Sequence, residues 1–145
     1  MIDSILLVNI FSSFFMCGVI WLVQLVHYPF FFRADRTQFT EHIRFHGFRI
    51  SFIVLPVMTL ELISSILLTI YAPDFQALHL IGLIVVLLIW VSTFLLQVPQ
   101  HAKLVDKFDE NAILKLVRTN WIRTILWSIK SGLALYLIAS IVLGH

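Results

Sequence analysis

Four apolar stretches, each about as long as a bilayer is thick, leave this chain little choice of fold. A helix rising 1.5 Å per residue crosses the hydrocarbon core with roughly 20 residues. Residues 5–26, 50–71, 78–98 and 124–143 reach that length. The first carries only Asn9, Ser12, Ser13 and Gln24 as clearly polar residues, and the second carries one charge, Glu61. The third has His79 at its start and Gln97 at its end, and the fourth contains Lys130. Backbone N–H and C=O groups find no water in lipid, so such segments must be helices. The charged fraction of 12% is about half that of a soluble domain. The expected fold is all-α: an integral membrane four-helix bundle with short amphipathic cytoplasmic helices. It forms a single domain over residues 1–145, with spans of about 5–32, 50–71, 78–98 and 121–143 and cytoplasmic connections at 33–49 and 99–120.

The basic residues orient the bundle. Arg33, Arg36, Arg44 and Arg49 lie between stretches one and two, and Lys103, Lys107, Lys115, Arg118 and Arg123 lie between stretches three and four. Both termini and the 72–77 connection have no Lys or Arg. Cytoplasmic loops collect Lys and Arg, so the expectation is a multi-pass protein with both termini outside the cytoplasm. The charges sit where anionic headgroups would meet them, which makes membrane lipids the expected partner and nucleic acid an unsuitable one. Asp3 and the absence of an early basic residue argue against a cleaved signal peptide, so the first stretch is expected to remain as a helix. Cys17 is the lone cysteine and excludes an internal disulfide.

The two basic connections read as helices. Residues 37–48 take Thr37 as N-cap, with Phe39, Ile43 and Phe45 as an interfacial apolar face. Residues 111–120 read as a helix running without a break into span four. Pro29 and Pro99 read as the ends of spans one and three. Phe30, Phe31 and Phe32 followed by Arg33 suggest an interfacial anchor, and most tryptophans suit aromatic belts.

Polar chemistry gathers at the basic end. His27 closes span one, His42 and His46 follow at i and i+4, and His101 follows span three. His79 and His145 belong to the opposite end. The i, i+4 pair shares one helix face, which two imidazoles need to hold one ion. His27, His42, His46 and His101 are therefore candidate ligands for a transition metal such as Fe, Cu or Zn, with His27 and His101 as candidate axial ligands of a haem b. The bland alternative makes each an interfacial anchor. Asn120 and Arg123 head span four, where the guanidinium fork suits an anionic or carbonyl-bearing substrate. Glu61 and Lys130 both count to mid-bilayer, where an isolated charge costs at least about 2.5 kcal/mol. They are expected to face each other, directly or through water, either as a register-setting pair or as a proton relay.

The run Thr119-Asn120-Trp121-Ile122-Arg123-Thr124, followed by Trp127-Ser128, resembles the last helix of small, largely uncharacterised bacterial four-helix membrane proteins. Length and span count also look like the anthrone-oxygenase-like membrane family, with Asn120, Arg123 and Gln97 or His101 as the corresponding polar residues. The resemblance implies a bacterial inner-membrane oxidative enzyme acting on a lipid-soluble aromatic or isoprenoid substrate. From the residues themselves, two functions stand side by side. One is a metal- or haem-dependent oxidoreductase with catalytic Glu61, Lys130, Arg123 and Asn120. The other is a non-catalytic module: an assembly factor, a lipid-binding element or an oligomeric transport subunit, such as a homo-oligomer.

Overall fold

The computed structural model describes residues 1–144; His145 lies outside them. Four long helices account for nearly all of the chain: α1 (Ile2–Arg33), α2 (Phe39–Tyr71), α3 (Gln76–Asp106) and α4 (Glu110–Leu143). Each is long and apolar enough to cross a membrane, and the chain is a multi-pass membrane protein. They pack as an antiparallel ring in which α1 touches α2 and α4, and α3 touches α2 and α4. At 33 residues, α2 is about 50 Å long and outruns the hydrocarbon core by some 20 Å.

That excess length replaces the expected interfacial helices. The segment 37–48 does not lie flat on the membrane; from Phe39 onward it is the first part of α2. Phe39 and Ile43 are buried, so they face the bundle and not lipid headgroups, while Phe45 stays exposed with Arg49 above its ring at 5.1 Å. Thr37 is not the cap. Its N–H and hydroxyl both donate to Asp35 Oδ1 at 2.8 Å, and these bonds hold the Asp35 carboxyl below the usual carboxylate range. Phe39 also meets Phe108 edge-on at 4.9 Å, which locks the two basic connections together. Leu104, Ile113 and Leu116 are completely buried there, so the bundle core continues past the bilayer.

The prolines do not end spans one and three. Each follows a π-turn, at Val23–His27 and Thr93–Gln97, after which the helix resumes. The amide of Tyr28 bonds the carbonyl of Val23, and that of Val98 bonds the carbonyl of Thr93, each five residues back. The wider turn removes the clash between a proline ring and the carbonyl four residues before it, so Pro29 and Pro99 are accommodated at the first turn of a new segment. Arg123 is also not a loop residue; it is 6% exposed, inside α4.

The α4 helix runs unbroken from Glu110, as the sequence suggests, and starts on a true cap: Asp109 accepts the amide of Ala112 at 3.1 Å. An N-cap of this kind is worth about 1 kcal/mol. Asp109→Ala is expected to destabilise the bundle by that amount in reversible unfolding from mixed micelles, whereas Asp109→Ser should be close to neutral.

Candidate functional site

Small polar residues recur along α1 at helical spacing. Asn9, Ser12, Ser13, Met16 and Ile20 are all buried, so one face of α1 carries the polar group toward the bundle axis. Opposite it, α2 presents Glu61, Ser64 and Ser65, and α4 presents Trp127, Lys130 and Ser131. Together they form a polar layer near mid-membrane.

Asn9 is its centre. Its amide nitrogen donates to Ser64 Oγ at 2.9 Å and Ser65 Oγ at 2.8 Å, and reaches the Glu61 carbonyl at 3.3 Å. Its amide oxygen accepts from Lys130 Nζ at 2.8 Å. Glu61 does not take its hydrogen bonds from Lys130. Oε1 accepts from Ser13 at 2.8 Å and Oε2 from the Trp127 indole at 3.0 Å. The expected pair is thus corrected: both charges are buried in the bundle, but Asn9 stands between the ammonium and α2. Gly82 of α3 lies beside the lysine stem; a Cβ there would sit 3.4 Å from Lys130 Cε, in ordinary van der Waals contact. Beyond the ammonium, toward the termini, a cavity of about 20 Å³ touches His79 and Ser65, room for about one water.

Nearer the basic end, both π-turns send a glutamine onto α4. Gln24 donates to the Val117 carbonyl at 3.2 Å and accepts from Asn120 at 2.9 Å. Gln97 donates to Thr119 Oγ1 at 2.9 Å. Asn120 in turn accepts from the Arg123 guanidinium at 3.3 Å. Asn120 therefore does not face a ligand; it anchors Arg123. The guanidinium lies 5.2 Å above the Trp127 ring, so one tryptophan bridges it to Glu61.

These residues back onto a cavity of about 680 Å³ between α2 and α3, within the usual range for small-molecule sites. Tyr28, His46, Gln97, His101 and Arg123 form its polar end. The Tyr28 hydroxyl and His101 Nε2 share a 3.1 Å hydrogen bond. Elsewhere the wall is mostly apolar, from Met16 and Ile20 to Val54 and Met58, interrupted by Arg44, Ser51 and Thr93. Phe48, Leu55, Phe94 and Val98 line it too, and all four are exposed on the lipid-facing surface, so the cavity opens sideways into the bilayer.

Three of the four candidate histidines meet here, but not as ligands. His27 stacks on His46 with ring centroids 3.7 Å apart and planes 30° from parallel. Imidazole lone pairs lie in the ring plane, so stacked rings aim along parallel lines and do not converge on one ion. His101 Nε2 is already engaged by Tyr28, and His42 is exposed on α2. Among the described residues no group of three His, Cys, Asp or Glu side chains is placed to hold a metal ion. The expected metal set of His27, His42, His46 and His101 is therefore not formed among the described residues.

Comparison with protein-family models, with curated proteins and with solved structures finds no match. What the site can do must therefore be argued from its own residues.

The central bond is open to test. Asn9→Ala strands the Lys130 ammonium and should cost about 1.5–3 kcal/mol, the range for hydrogen bonds to charged groups. Combining it with Lys130→Met should recover part of that loss, with a coupling of at least about 1 kcal/mol. Additivity within about 0.5 kcal/mol would mean that Lys130 draws nothing from Asn9.

Proposed function

We propose that this protein is a membrane-embedded enzyme that takes a lipid-soluble substrate from the bilayer through the gap between α2 and α3. The observation that carries this reading is the 680 Å³ cavity, mostly apolar and with a polar group at one buried end. Arg123 would hold the substrate's polar head, kept in place by Asn120 and Trp127. The Tyr28–His101 pair supplies a proton donor and acceptor within one hydrogen bond, suited to general acid–base work on that head. Oxidoreductase chemistry remains the reaction class that the resemblance to anthrone-oxygenase-like proteins implies. The histidines favour a proton-handling part in it over a ligand role. Glu61 and Lys130 lie behind Trp127, away from the cavity lining, and their part is to hold the register of the helices.

A second reading is a lipid-binding module without turnover. The apolar wall favours it, because only one end of the cavity offers chemistry. The two separate on the fate of the bound lipid: recovered altered for an enzyme, unchanged for a carrier.

The cavity is tested by photolabelling. A long-chain alcohol bearing a diazirine should label α2 and α3 peptides around Val54 and Thr93 in protein held in lipid nanodiscs. Ser51→Trp, which fills the cavity from α2, should abolish that labelling without lowering the unfolding temperature. Labelling spread evenly over all four helices, and indifferent to Ser51→Trp, would remove the basis for a substrate site.

We further propose residence in the bacterial inner membrane with the cavity toward the cytoplasm, because the loop Lys and Arg residues sit at the cavity's end. A reporter that fluoresces only in the cytoplasm, fused after His145, should stay dark. A bright cell would place the cavity at the outer face.

A further inference from the structure

The bundle interior holds one more cation than anion. Among the described residues, the buried charged side chains are Glu61, Arg123 and Lys130. Glu61 is satisfied within the mid-membrane layer that also holds Lys130, through Ser13 and Trp127. Arg123 has no such partner. Its neighbours are Asn120, Tyr28 and the Trp127 ring, all neutral. It is 6% exposed, and its Nε is buried with no hydrogen-bond acceptor. A guanidinium so placed is strongly unfavourable unless an anion joins it.

A second unmet group lies on the same cavity wall. Gln97 is 2% exposed, and its Oε1 has no donor, although its amide nitrogen is fixed on Thr119. The wall therefore lacks an anion at Arg123 and a donor at Gln97. The interior excess is a single positive charge, which a monoanion balances and a phosphate monoester, near −2, would overshoot. The rest of the cavity is mostly apolar, with Ser51, Thr93 and the solvent-exposed Arg44 also on its wall, and it leads to lipid.

Resting on the cavity reading above, we propose that the ligand is a single-chain lipid acid. Its carboxylate pairs with Arg123, and its tail runs outward between α2 and α3. A water carried with the carboxylate bridges to Gln97 Oε1, as first-shell waters do at polar ends of sites. Asn120 and Gln24 act as positioning residues that stop the guanidinium from snorkelling to the surface.

The test compares heads on one tail. Protein in nanodiscs of phosphatidylcholine is photolabelled with the diazirine alcohol, and oleic acid, oleyl alcohol, methyl oleate and oleyl phosphate compete. Oleic acid should compete at concentrations about 30-fold or more below the alcohol, the range for losing one partner of a buried charge pair. Arg123→Gln should erase the advantage of acid over alcohol; Arg123→Lys should keep part of it. Should Arg123→Gln fail to fold, the ranking of heads on the unaltered protein decides alone. Equal competition by acid, alcohol and ester would overturn the lipid-acid assignment and leave the cavity reading standing. A preference for oleyl phosphate would overturn the carboxylate. No labelling of α2 and α3 by any probe would overturn both.

Discussion

A lysine ammonium cannot be left in hydrocarbon, and Lys130 is buried at the level where all four helices are apolar on their outer faces. Its hydrogen bond to Asn9 is what the rest of the bundle is arranged around. The bond requires Asn9 to face the axis, which fixes the rotation of α1. It requires Ser64 and Ser65 to accept from the other half of the same amide, which fixes α2. On α3 the lysine stem passes Gly82, where a Cβ would make ordinary contact with Lys130 Cε at 3.4 Å. Between apolar helices in lipid the hydrophobic effect does not choose one rotation over another, and small polar contacts do so instead. Three helices, α1, α2 and α4, are thus indexed on one another by a single amide.

The polar layer also explains why the basic end can afford a hole. A cavity of 680 Å³ removes packing from α2 and α3, yet α1 and α4 beneath it remain joined through Gln24, Asn120 and Arg123. Trp127 belongs to both regions. Its indole N–H holds Glu61, and its ring supports the guanidinium. A ligand that shifted Arg123 would therefore be felt at mid-membrane without any change in the helix ring.

The sequence made the spans legible because apolar length is a one-dimensional property. It also brought Gln97, His101 and Arg123 to one level, since depth follows from counting residues. Partnership was not legible. Asn9 was visible as a polar residue in span one, spaced with Ser12, Ser13, Met16 and Ile20 on one helix face, yet nothing local says that it would meet Lys130. His27 and His46 were correctly brought to one place but stack where convergence was expected, because ring orientation is set by tertiary packing against Phe31. Pro29 and Pro99 misled for a physical reason. A proline opposes α-helical continuation, but a preceding π-turn removes the opposition, and no residue type marks that turn.

Those two turns give α1 and α3 something like a reading frame. Each residue advances an α-helix by about 100°, so the extra residue held in a π-turn sets the phase of everything after it. Tyr28 follows one turn, and His101 follows the other. Loss of a single residue from either turn would swing those side chains by more than a quarter of a circle, out of the cavity and toward lipid. The same loss near the termini would only shorten a helix. The protein is thus built in two tiers, one tolerant of changes in length and one in which the count of residues is itself part of the site.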